Sequence, residues 1–166
     1  MEDWDKTNWW KYLEPSMQDL MRQSFDLLTA ESQRLLANPP YHDYSFVVFP
    51  AAKAYEGFLK MVFRDMGLIN KQQFYGDNFR IGRALSPTLP KRYRIGWVYG
   101  RLVNFCGGDA LPLAMWDVWK RARNRIFHFF PQHDEHINLA EASELVKGIT
   151  TVMDETLKGC GLSDRV

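Results

Sequence analysis

The 166-residue chain is 46% apolar and 25% charged, which excludes a disordered polymer and suits one compact domain. Lys and Arg number 21 against 20 Asp and Glu, a net charge of +1, so no global positive field exists and any phosphate binding must be local. The two cysteines, Cys106 and Cys160, match no metal or disulfide framework. With a polar amino terminus unlike a signal peptide and no apolar run of membrane-spanning length, they predict a soluble, cytoplasmic protein without a membrane partner.

In chain order, residues 1–15 form an aromatic-rich segment with Trp4, Trp9, Trp10 and Tyr12. It either tucks onto the domain or offers a partner-binding patch. Apolar residues recur every three or four positions from Ser16 to Leu36, the period of an amphipathic helix, and Asn38-Pro39-Pro40 stops it. Tyr41 to Phe49 is apolar and aromatic, either extended or a helix entry. A second helix is predicted from about Pro50 to Met66, with Gly67 as terminator. Residues 70–94, with scattered Gly and Pro, read as a connecting loop.

Ile95 to Phe105 reads as a short helix, and Ala110 to Phe130 as a long one. Asn138 followed by Glu141 makes a capping-box pattern for a last helix running to about Leu157. Sustained alternation is lacking, so the class is all-α, a bundle of four to five helices. The domain spans residues 16–158, and 159–166 form a tail.

Two positions carry the chemistry. On the second helix, Glu56 falls in the apolar row of Ala52, Leu59 and Phe63. A carboxylate there needs a cation, either Lys60 at i+4 or a catalytic Arg that it orients. On the third long helix, Lys120, Arg121, Arg123 and Arg125 fall within six residues, beside the stripe Met115, Trp119, Ala122, Ile126 and Phe129. Asn124 and His128, four apart, share a helix face, so the amide can fix the imidazole tautomer. Arg123 and His128, five apart, stand about 140° apart on an ideal helix and need a curled side chain or a second copy to converge. The cluster His128, His133, Asp134, Glu135 and His136 lacks metal-ligand spacing, and no metal or cofactor is expected.

Arg123-Asn124-Arg125-Ile126-Phe127-His128 resembles the R-x4-6-H motif of HEPN domains, including the polar residue after the Arg. The stretch from Asp43 to Leu59 is similar to the segment leading into the second helix of the HEPN toxin domain in the ribonuclease LS-type toxin–antitoxin family. The resemblance covers roughly residues 40–155, and the larger toxins' extra N-terminal domains have no counterpart here. It implies a HEPN-like helical bundle that forms a homodimer with a composite site. It also implies a metal-independent endoribonuclease, a toxin or antiphage-defence effector, with a protein antitoxin as possible partner. The site residues it implies are Arg123, His128, Asn124, Glu56 and Asp43, with Lys120, Arg121, Arg125 and Lys60 contacting RNA. In another HEPN branch a Tyr two residues after the motif His is adenylylated; Phe130 stands there and cannot be. The alternative is a non-catalytic HEPN-type module binding RNA or protein, or a plain helical dimerisation domain.

Overall fold

The computed structural model describes residues 4–94, 96–128, 131 and 136–162. Every element among them is helical: α1 (Asn8–Tyr12), α2 (Pro15–Arg34), α3 (Ser45–Asp65), α4 (Lys71–Tyr75), α5 (Ile81–Leu85), α6 (Tyr99–Phe105), α7 (Ala110–Trp119) and α8 (Leu139–Gly159), with 3-10 turns at Trp4–Lys6 and Lys91–Tyr93. The fold is all-α, as the periodicity predicts. Within the described residues, no helix is long and apolar enough to cross a membrane.

Helix α3 is the centre of the bundle. Val47, Val48, Ala51, Ala54, Tyr55, Phe58, Leu59, Val62 and Phe63 are fully or almost fully buried. Helix α2 lies along one side, where Gly57 leaves room: a Cβ there would stand 2.7 Å from the Met17 sulfur. Ser24, also fully buried, donates to the Val47 carbonyl at 2.6 Å. On another side the Tyr55 hydroxyl donates to the Met115 carbonyl at 3.0 Å and ties α3 to α7. Burial pushes this phenol well above its ordinary pKa of 10.0, which keeps it a neutral donor.

Several local expectations hold. The N-terminal aromatics tuck inward, with Trp9, Trp10 and Tyr12 buried. Asn138 and Glu141 form both hydrogen bonds of a capping box at the start of α8, at 3.0 and 2.8 Å. The aromatic approach to α3 is a helix entry: the helix begins at Ser45, and Pro50 sits inside it as a buried residue. Its buried neighbours Val47, Val48 and Ala51 outweigh the hydrogen bond that the missing N–H forfeits.

Four expectations need correction. Residues 70–94 are not a bare loop: they fold into α4, α5 and a 3-10 turn, with Ile81, Ala84 and Leu85 buried. The predicted helix 110–130 leaves α geometry at Trp119 and continues as a π-helical turn over Lys120–Arg125, followed by an irregular turn through His128. The bundle expected to hold four to five helices has eight α-helices among the described residues, because short segments such as α1, α4 and α5 also coil, α1 and α5 with buried side chains. Phe129, Phe130, His133, Asp134 and Glu135 lie outside the described residues, as does the end of the tail.

The fourth correction concerns the cysteines. Cys106, at the end of α6, and Cys160, at the end of α8, form a disulfide. No local spacing reveals it, because the fold brings together residues 54 positions apart. Closing a loop of that length is worth about 4 kcal/mol in the chain-entropy model. Cys160→Ser, or reduction of the native chain, is therefore expected to lower unfolding free energy by about 2–4 kcal/mol in urea titrations. An unchanged midpoint on reduction would show that the bond does not form.

Candidate functional site

The carboxylate that interrupts the apolar row of α3 meets a cation from another element. Glu56 Oε2 lies 3.3 Å from Arg123 Nε, so the partner is the π-turn arginine and not Lys60 one turn along the same helix. The site is not sealed: the two side chains are 32% and 39% exposed. They stand in an open cleft of about 390 Å³, lined also by Asn124, Trp116, Trp119 and the α5 segment Arg80–Arg83. The Arg123 guanidinium sits 6.0 Å from the centre of the Trp119 ring.

The Trp pair shapes this wall. Trp116 and Trp119 stack at 5.4 Å between ring centres and 15° between planes. Trp119 is the inner ring, 8% exposed, and Gly82 makes its position possible. A Cβ on Gly82 would lie 2.2 Å from the Trp119 ring, so any side chain there would displace α5 from α7. Sequence reasoning missed Trp116, Arg80, Gly82 and Arg83. The i,i+3 spacing of the two Trp residues was available as a signal, but Arg80-Ile81-Gly82-Arg83 was hidden by its apparent place in a loop.

The remaining predicted residues separate into other places. His128 is exposed, lies beyond the π-turn and does not line the Glu56–Arg123 cleft. Asn124 lines the cleft with Arg123. Arg121 and Arg125 border a different groove of about 790 Å³, against Glu141 and Glu144 of α8. Arg121 also pairs with Asp117 at 2.8 Å. Acidic residues therefore balance the bases in that groove, which makes it a poor track for a polyanion. Lys120 and Lys60 are half-buried.

Asp43 has a structural job. One carboxylate oxygen accepts from the backbone amides of Ser45 and Ile137, both at 3.2 Å, and the other from the Ser45 hydroxyl. With the Tyr44 amide donating to the Ile137 carbonyl at 2.9 Å, it fastens the start of α3 to the approach to α8. Partial burial disfavours its charge. The Ser45 and Ile137 hydrogen bonds, with the nearby His136, outweigh burial and hold the carboxyl below its ordinary 3.8.

No protein-family model, curated protein or solved structure matches the chain.

Two substitutions separate position from stability. A part-exposed ion pair contributes about 0–1 kcal/mol, so Glu56→Gln should leave urea stability within that range; a larger loss would mean the pair is a structural strut. Asp43→Asn should cost about 1–2 kcal/mol at neutral pH. Because the folded-state pKa is depressed, the Asp43 contribution is present above the unfolded value and is lost as pH falls through the folded one. Acid titration of stability should therefore be shallower in Asp43→Asn than in the native chain.

Proposed function

We propose that the chain is a metal-independent endoribonuclease of HEPN type, acting as a toxin or defence effector and working as a homodimer. The carrying observation is the Glu56–Arg123 pair in an open cleft, with Asn124 beside it. A carboxylate from the central helix there holds the first residue of the R-x4-6-H motif. The all-α class and the π-turn at the motif add support, since π-turns recur at functional sites.

The chemistry needs few groups. RNA supplies its own nucleophile, the ribose 2′-hydroxyl. A base takes its proton as the oxygen attacks the neighbouring phosphorus. The bond from phosphorus to the 5′-oxygen breaks, and an acid protonates that oxygen. Arg123 stays charged and stabilises the phosphorane oxygens. His128 serves as base in one copy and acid in the other, because imidazole exchanges protons near neutral pH. The products are a 2′,3′-cyclic phosphate and a 5′-hydroxyl. Asn124 orients the site, and Lys120 and Lys60 supply peripheral charge, whereas the carboxylates beside Arg121 and Arg125 offset theirs. Asp43 acts through the backbone.

A second copy suits the surface beside the motif. Phe46 and Phe49 of α3 are 41% and 54% exposed, and Phe49 meets Phe127 edge-on at 5.3 Å. An apolar patch so placed is a fitting dimer contact. One observation favours the other reading, a non-catalytic RNA- or protein-binding module: within one chain His128 stands apart from the cleft wall.

His128→Ala is expected to reduce RNA cleavage by at least the ~10²–10⁴-fold of a proton-transfer group, with fold and dimer unchanged. Arg123→Ala should do the same and also weaken RNA binding. Cleavage by the native chain should persist in chelator and leave cyclic phosphate ends. Intact RNA after incubation across a panel of substrates, or fragments ending in 3′-hydroxyls, would overturn the enzyme reading.

A further inference from the structure

We propose that the cleft between α5 and the π-turn is a nucleotide subsite for single-stranded RNA. One unpaired base stacks on the outer face of Trp116, and its phosphate sits between Arg80 and Arg83. The choice of ligand rests on the ribonuclease reading; the shape and charge of the site do not.

The cleft combines two features that one nucleotide satisfies together. Its aromatic wall is already a stack: the inner Trp119 is buried and the outer Trp116 remains part-exposed, so a planar ring added to Trp116 extends the pile. Every base has a π-face, which makes such stacking tolerant of sequence. Its rim is cationic, with the guanidiniums of Arg80, Arg83 and Arg123 against the single carboxylate of Glu56. Arg80 and Arg83 donate to the backbone carbonyls of Asp77 and Tyr93, each at 3.1 Å, which positions them while leaving their charge available.

Size and form narrow the ligand further. A cleft of about 390 Å³ fits the ~300–1,000 Å³ of small-molecule sites and is too small for a duplex. In a duplex the base faces are already stacked, so only a splayed base can reach Trp116. Gly82 lets α5 sit flush against Trp119, and a side chain there would push α5 from the stack.

The test uses the full chain and a short single-stranded RNA with 2′-O-methyl riboses, which cannot be cleaved, with indole quenching as readout. The native chain should be quenched and should bind the strand more tightly than the same sequence as a duplex. Trp116→Ala should raise Kd by roughly 5- to 150-fold, the range that follows from removing one base–aromatic stack. Trp116→Phe should recover most of it, which a misfolded variant would not do. Arg80→Ala with Arg83→Ala should flatten the salt dependence by about 0.7 in log–log slope for each phosphate no longer neutralised. Unchanged affinity in Trp116→Ala, equal affinity for duplex, absence of binding, or full displacement by a mononucleotide at the strand's own affinity would each overturn the assignment. The two readings fail separately. Trp116-dependent binding by a chain that cleaves no RNA keeps the subsite and ends the nuclease. Cleavage whose KM ignores Trp116 does the reverse.

Discussion

A carboxylate set into the apolar face of a central helix constrains everything around it. Helix α3 is buried along most of its length, and Glu56 lies between Ala52, at 2% exposure, and Leu59, at 0%. Such a group must either reach water or meet a cation, and here it does both. The cation comes from the π-turn, so the rigid central helix fixes where that turn sits. At roughly one-third exposure the pair adds little to stability. Its effect is positional: it holds the guanidinium beside Trp119 and at the edge of an open cleft. The contact runs through Nε, and a guanidinium with five N–H donors keeps others for an incoming anion.

The long helices and this pairing were readable from the chain because both are one-dimensional signals. A three-to-four period marks α2, α3 and α8, and a Glu in an apolar row announces a need for a partner. Asn138 and Glu141 announce a helix start in the same way. What escaped reading depends on contacts between distant residues. The helices of residues 70–94 are five residues or shorter, too brief for periodicity, and exist because Ile81, Ala84 and Leu85 pack into the core. The π-turn interrupts a pattern that suits an α-helix throughout. It also voids the 140° angle between Arg123 and His128, since i→i+5 hydrogen bonding widens the turn and resets which residues are neighbours. Asp43 was nameable as a helix-start residue, but its bond to Ile137 spans 94 positions and belongs to the tertiary fold.

The disulfide bears on where the protein works. Two cysteines without a recognisable framework read as thiols of a reducing compartment. Once Cys106 and Cys160 are bonded, that inference loses its cysteine support. The bond joins the ends of α6 and α8.

The absence of His128 from the lining of the Arg123 cleft decides what the cleavage reading requires. Proton transfer needs the imidazole within hydrogen-bond reach, about 3 Å, of the ribose or leaving oxygen. Charge stabilisation needs the guanidinium on the same phosphate. Within one chain Arg123 faces Glu56 and the indoles while the imidazole is exposed beyond the turn. One chain therefore places the guanidinium in the cleft and leaves the imidazole out of its lining. The cleavage reading therefore needs a second copy to bring an imidazole to that phosphate, and the exposed Phe46 and Phe49, the latter edge-on to Phe127, are the apolar surface it would use.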